Sequence, residues 1–214
     1  MTVRDQVPER LPKGPHKLSR EQVRASQRQR LLDAVLDVVG EKGYAAATVA
    51  DVTAAAGVSR TTFYEQFRNK GDAFLQAYDE FGEQFLADIT RVDGDHPAAV
   101  LAESAERLVA WGKRRPYAAR AFLLEIYALG EEGLERRDRV MRRAEELFNQ
   151  VAAWLRSVDP SLPPPPPALT ARAVVAASWE LAAQGVRTNE DTSADTREAL
   201  AYIWLLGLTA RPAV

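Results

Sequence analysis

The chain has 214 residues, 46% hydrophobic and 27% charged, which excludes a chain disordered throughout and suffices for a sizeable core in one or two domains. It has no cysteine and only two histidines, His16 and His96, each beside a proline, so disulfides, thiolate sites and a structural zinc are excluded and no cofactor or metal is expected. The net charge of −2 divides unevenly: residues 1–70 carry twelve Lys and Arg against eight Asp and Glu, a net +4, whereas residues 71–214 carry 16 against 22, a net −6. A basic N-terminal third on an acidic body implies different partners for the two parts.

Residues 1–19 read as a disordered basic arm, because Pro8, Pro12, Gly14 and Pro15 interrupt regular structure. The first 30 residues lack the apolar segment of a secretory signal, and the apolar run at 200–210 is too short to span a bilayer. A cytoplasmic location without membrane contact is therefore expected. A helix begins after Ser19, with Leu31, Val35 and Val38 at one-turn spacing and Leu32 and Val39 widening the stripe, and stops at Gly43. Thr48 caps a second, short helix, with Asp51 answering as in a capping box, and Ala56-Gly57 ends it. Ser59 caps a third over residues 60–67. Asn69 and Asp72 open a fourth that runs to about residue 91, with Phe74, Tyr78, Phe81 and Phe85 spaced by four, three and four.

After a break at 93–97, a fifth helix covers 97–115 and Pro116 starts a sixth. Gly130 to Gly133 reads as another break before a charged seventh helix at 134–158. Residues 159–168, with five prolines at 163–167, read as a polyproline II spacer or, alternatively, a ligand for a partner. Helices at 170–183 and 194–210 complete the chain. No alternating strand pattern competes, so the fold expected is all-α, about nine helices: the arm at 1–19, a three-helix domain at 20–70 and a larger helical domain at 71–214.

Residues 48–67 have the form of short helix, glycine turn, second helix. Gly57 must leave the first helix with φ > 0, Val58 fills the angle, and Ala55 and Ala56 allow close approach. This is helix-turn-helix geometry, in which the second helix enters the DNA major groove. At ~100° per residue, Phe63 and Phe67 face the core, and Thr61, Thr62 and Glu65 face the groove. Arg60, Tyr64 and Gln66 flank that face. Thr suits a thymine methyl and Gln an adenine, whereas Glu65 either accepts from a cytosine amino group or simply faces solvent. Lys13, Lys17, Arg20 and Arg24 either follow phosphates or the minor groove or belong to a solvated tail.

The run TVADVTAAAGVSRTTFYEQFRNKGDAF resembles the DNA-binding segment of the tetracycline-repressor (TetR) family of transcriptional regulators, through Val52, the turn Ala56-Gly57-Val58-Ser59, Thr62-Phe63-Tyr64, Phe67 and Asn69-Lys70. The likeness covers about 22–77, and beyond it only helix number, length and order match. Thr53 departs from the family's usual alanine. The resemblance implies a regulator that reads a palindromic double-stranded operator with Thr48, Ser59, Arg60, Thr61, Thr62, Tyr64, Gln66 and Lys70, with Tyr64 and Lys70 on backbone phosphates. It also implies that the body encloses a small-molecule effector that switches DNA binding.

Pocket candidates by residue type are Phe81, Phe85, Trp111, Phe122, Ile126, Phe148 and Trp179, with Glu125 as a polar anchor or as an ion-pair partner of Arg120. Such a lining implies a mainly hydrophobic effector, and the acidic body hints at a cationic one unless that charge lies on the surface. A homodimer is expected to use the last two helices through Val174, Val175, Leu181, Leu200, Ile203, Trp204 and Leu208. The expected function is a repressor released by this effector, not an enzyme. The alternative is an all-α enzyme or binding protein for a hydrophobic small molecule, against which no nucleophile–base pair or glycine-rich phosphate loop is present.

Overall fold

The first six helices each begin where the sequence supplies either an acceptor for the free backbone N–H groups or a proline that needs none. In the computed structural model, which describes residues 19–91, 96–165, 167, 169–188 and 193–209, helix α1 (Arg20–Lys42) is capped by Ser19, and the Gln22 side chain returns the bond. Thr48 and Asp51 form the same reciprocal pair at α2 (Val49–Ala56). Ser59 caps α3 (Arg60–Gln66), and Asn69 caps α4 (Lys70–Thr90). Helices α5 (Pro97–Arg114) and α6 (Pro116–Leu123) open on proline. A short 3-10 helix (Glu125–Leu129) leads into α7 (Gly130–Val158), followed by α8 (Leu169–Thr188) and α9 (Ser193–Thr209). The fold is all-α, with nine α-helices and no strand among the described residues.

Two boundaries differ from the sequence expectation. The break at Gly130 to Gly133 is no break: α7 starts at Gly130, which turns with φ 58°. Gly133 lies inside the helix because a Cβ there would stand 2.2 Å from the Ile126 carbonyl oxygen. Close approach, not helix termination, explains that glycine. Helix α8 runs five residues past Ala183, to Thr188. The arm up to residue 18, residues 93–95 of the expected break and part of the proline run lie outside the described residues. The start of that run is docked on the body, since Arg156 donates to the carbonyls of Pro163, Ala152 and Leu208 at 2.9, 2.9 and 3.1 Å.

The apolar side chains gather into two cores. One runs without interruption from α1–α3 (Leu31, Val35, Val52, Phe63) through Phe74 and Tyr78 of α4 to Phe122, Met141 and Trp179. The second joins α5, α7, α8 and α9 around Leu101, Leu155, Val174, Leu200 and Trp204. Phe85, Ile89 and Ala182 pack against both. The proposed boundary at 70/71 thus falls at the first turn of a helix whose own side chains belong to the first core. Helix α4 is one mechanical part of the N-terminal domain and of the body.

Candidate DNA interface and ligand cavities

The helix-turn-helix is assembled as its sequence requires. Gly57 has φ 64°, ψ 41°, the left-handed conformation that costs a glycine least, and its N–H closes α2 onto Thr53 and Ala54. Phe63 and Phe67 are buried and pack on each other at 5.5 Å. Thr53 is buried and its hydroxyl donates to the Ala50 carbonyl at 3.1 Å, so the hydroxyl is not left unpaired. On the outer side Arg60, Thr61, Tyr64 and Glu65 are exposed, Tyr64 by 53%. Together they form a polar face with no covering element among the described residues.

Four of the expected DNA contacts, Thr48, Ser59, Thr62 and Lys70, have other partners in the structure, and a fifth, Gln66, is half-buried. Thr62 is half-buried, and its hydroxyl lies 3.0 Å from that of the cap Ser59, which also accepts the Thr62 N–H. Both hydroxyls thus already serve the helix start. Gln66 does not flank the groove face freely: it is half-buried and its Nε2 is enclosed, as a residue one turn after Phe63 must be. Thr48 holds Asp51, whose carboxylate also bonds Lys42 at 2.7 Å. Those bonds from Lys42 and Thr48 hold the Asp51 carboxyl down to about 2. Lys70 donates to the carbonyls of Tyr44 and, at 2.7 Å, Ala47, and its ammonium stands 4.1 Å from the centre of the Tyr44 ring. Burial lowers its pKa. Two of its three donors secure the α1–α2 loop, leaving one for a phosphate.

The arginines that precede the apolar stripe of α1 are structural in a way that composition alone did not disclose. Arg30 donates to the carbonyls of Ala56 and Gly57 at 2.7 and 3.5 Å, at the negative end of α2. Arg28 lies over the Phe67 ring and donates to Gln76 at 2.6 Å. Arg24 reaches the Glu65 carbonyl at 3.4 Å. The four-residue spacing of Arg20, Arg24 and Arg28 was the available signal, since it sets one cationic stripe along one helix face.

The N-terminal helices meet the body along α6. Arg115, at the start of α6, donates to Asp33 at 2.8 Å and to Asp37 at 3.2 and 3.3 Å, both on α1. Burial raises the Asp37 carboxyl, and Arg115 opposes that rise. Beside this clamp the backbones touch: a Cβ on Gly40 would stand 1.8 Å from the Tyr117 carbonyl oxygen. Glu125 makes a third link. It accepts the Tyr44 N–H at 2.9 Å and lies 3.7 Å from Arg120, so it joins the body to the α1–α2 loop and is no anchor inside a cavity.

Two adjoining cavities lie at the seam of the two cores. The inner one, about 110 Å³, takes Phe85, Phe148 and Trp179 from the expected set, with Met141, Val174 and Trp204. The outer one, about 500 Å³, takes Phe85 and Trp111, with Tyr117, Arg120 and Arg187. Phe85, Leu108, Leu123 and Ala182 line both. Phe81, Phe122 and Ile126 line neither. Phe122 is the hub of an aromatic cluster, 4.5 Å from Tyr78, 5.5 Å from Phe81 and 5.2 Å from Trp179, and Ile126 is fully enclosed. Helix α4 has one stripe for the N-terminal core and another for the cavity, and sequence spacing could not separate them.

The expected dimer residues also face inward. Val174, Leu200, Trp204 and Leu208 are buried in the second core, where the Trp204 indole N–H donates to Ser178 at 2.8 Å. Val175, Leu181 and Ile203 are half-buried against the same subunit's cores. The apolar side chains left in solvent on α8 and α9 are Leu169, Tyr202, Leu205 and Leu206. The strongest apolar stripe of each helix was used first to close its own subunit.

Residues 31–77 match the family described as bacterial regulatory proteins, tetR family. Comparison with curated proteins gives no match. Among solved structures, the chain is similar to the fatty acid degradation regulator FadR of Bacillus halodurans, at TM-score 0.71 and 17% identity over 95% of this chain and 100% of that one. It is also similar to FadR of Bacillus subtilis in complex with stearoyl-CoA, at TM-score 0.69 and 18% identity over 86% and 98%. A third similar structure is a TetR-family regulator from Syntrophomonas wolfei, at TM-score 0.71 and 16% identity over 89% and 99%. At these identities the solved structures establish the fold.

Proposed function

We propose, from the match of residues 31–77 to the TetR family of bacterial regulatory proteins, that the chain is a dimeric repressor that leaves its operator when an apolar small molecule fills the cavities beneath α6. The observation that carries this reading is the pairing of an uncovered helix-turn-helix face (Arg60, Thr61, Tyr64, Glu65) with a body cavity whose lining helix grips α1. A protein similar in fold, FadR of Bacillus subtilis, holds stearoyl-CoA. That favours a body able to enclose an extended apolar group.

The coupling follows from who touches what. Tyr117 and Arg120 of α6 line the outer cavity, and Trp111 of that lining packs on Phe81 at 4.6 Å. Arg115 lies over the same Phe81 ring and binds Asp33 and Asp37. A ligand that displaces Tyr117 or Trp111 therefore displaces α1 and α4 together, and with them α3. The ligand must prefer the displaced state, because equal affinity for both shifts nothing. A coupling of ~1–3 kcal/mol lowers operator affinity roughly 5- to 150-fold.

The test is selection of bound sequences from a random duplex library, followed by titration of the winning duplex against salt. A palindromic winner, with affinity that falls steeply as salt rises, is expected. Absence of salt-dependent binding to any duplex would overturn the regulator reading.

A further inference from the structure

We propose that the two cavities form one site for an anionic amphiphile, with its apolar tail in the inner cavity and its anionic head at the mouth of the outer one. This deepens the effector reading above and rests on it. Among the described residues the inner lining carries no charged side chain, and its unpartnered buried donor is the Trp179 indole N–H. Its Thr90 hydroxyl already donates to the Leu86 carbonyl at 2.7 Å. Its Ser178 hydroxyl donates to the Val174 carbonyl at 2.8 Å and receives the Trp204 indole N–H. An alkyl chain among Phe85, Met141 and Phe148 leaves those bonds intact.

The outer cavity has the opposite character. Among the described residues its charged lining side chains are Lys113, Arg120 and Arg187, and neither lining includes an aspartate or a glutamate. Two of them are ion-paired, Arg120 with Glu125 at 3.7 Å and Arg187 with Glu180 at 2.5 Å, and these carboxylates are not part of the described lining. Glu125 is shared with the Tyr44 N–H. Three cations around one opening stand out in a body whose net charge is −6. On this reading an anionic ligand is favoured over the cationic one that composition hinted at. Phe85, Leu108, Leu123 and Ala182 line both chambers, so one extended molecule would reach both where these side chains give way. A carboxylate and the phosphates of an acyl thioester share this chemistry.

The experiment is isothermal titration of the full chain, each probe below its micellar concentration, with palmitate, palmitoyl-CoA, butyryl-CoA and hexadecyltrimethylammonium. Affinity should rise with tail length, by up to about fourfold for each methylene that enters the inner cavity. The cationic amphiphile should bind at least about tenfold more weakly than the better of the two palmitoyl probes, and which of those binds tighter identifies the head. In Ala144→Phe, which narrows the inner cavity, palmitoyl-CoA should lose affinity and butyryl-CoA should not. Lys113→Gln with Arg187→Gln should weaken the anionic probes and leave the cationic one unweakened. Equal binding of the cationic and anionic probes on the unaltered protein, or no dependence on tail length, overturns the proposal. Loss of palmitate binding in Arg137→Gln but not in the mouth variant overturns the orientation, because the guanidinium of Arg137 lies over Trp179 of the inner lining. If the anionic probes bind with the expected pattern yet leave operator affinity unchanged, the effector reading fails and the ligand class stands. If they fail to bind while the operator is still held, the ligand class fails alone.

Discussion

Thr61 and Ser59 stand two residues apart, and substitution of each should read out differently. Thr61 is exposed with no cap to serve, so Thr61→Ala should change preference at one operator base pair, by ~1–3 kcal/mol in competition binding. Ser59 accepts the Thr62 N–H, so Ser59→Ala should lower stability by ~1 kcal/mol and weaken all duplexes alike. A base-specific change in Ser59→Ala, with an unchanged melting curve, would place its hydroxyl on DNA instead. Lys70→Met removes two carbonyl bonds as well as any phosphate contact. It should lower the melting temperature and reduce the slope of log affinity against log salt by about 1 per subunit. A lower melting temperature with the slope intact would confine Lys70 to the loop. Phe81→Ala is a poor probe of ligand response, since Phe81 is core and the change should cost ~3–5 kcal/mol on chemical denaturation. Asp51 has a pH signature. Its carboxyl is held at about 2 against 3.8 when free, so its contribution is complete above 3.8 and is lost as pH falls through about 2. The stability difference between the unaltered chain and Asp51→Asn, clear at neutral pH by circular dichroism, should vanish by the acid end of that window.

At the scale of elements, the clamp between α1 and α6 is the part to cut. Arg115→Ala leaves Asp33 and Asp37 without their cation, but both are nearly half exposed, so the stability loss should stay at or below ~1 kcal/mol. Ligand binding should persist while the ligand loses much of its power to release the operator, read as the ratio of operator affinities with and without ligand. An unchanged ratio would move the coupling route to α4 alone. These elements also mark what was legible in the sequence. Caps are local, so Thr48, Ser59 and Asn69 could be read as caps at the right residues, and Ser19 as the point where α1 begins. The turn at Gly57 was legible for the same reason, because its backbone conformation is set by neighbours. The α1–α6 contact was not, because Asp33, Gly40, Arg115 and Tyr117 are some eighty positions apart and only packing brings them together. Phe81 and Phe85 share an apparent stripe, yet one meets Arg115 and the N-terminal core and the other meets the cavities. Periodicity reports that a face is apolar and does not report which neighbour takes it.

At the scale of the molecule, one short recognition helix makes too few base contacts for a specific site, so the proposed operator reading calls for two subunits on two half-sites. The inward stripes of α8 and α9 are consumed by their own core, and the solvent side retains Leu169, Tyr202, Leu205 and Leu206, with Tyr202 exposed by 64%. Isolated exposed apolar residues are common, but three within one turn and a half of a single helix form a patch. Its two-fold repetition would make an isologous interface of α8 and α9 with their copies. Leu206→Glu with Tyr202→Glu should therefore yield a folded monomer by light scattering, because neither side chain supports the subunit's own core. Leu200→Glu should instead unfold the subunit, since Leu200 has no exposed surface. The monomer should bind a single half-site as well as the unaltered chain does and lose about 10²–10⁴ in affinity for the full operator, because the second contact is no longer intramolecular. A double variant that remains dimeric and keeps full operator affinity would place the interface elsewhere, while a monomer that still binds the full site tightly would show that a single subunit suffices.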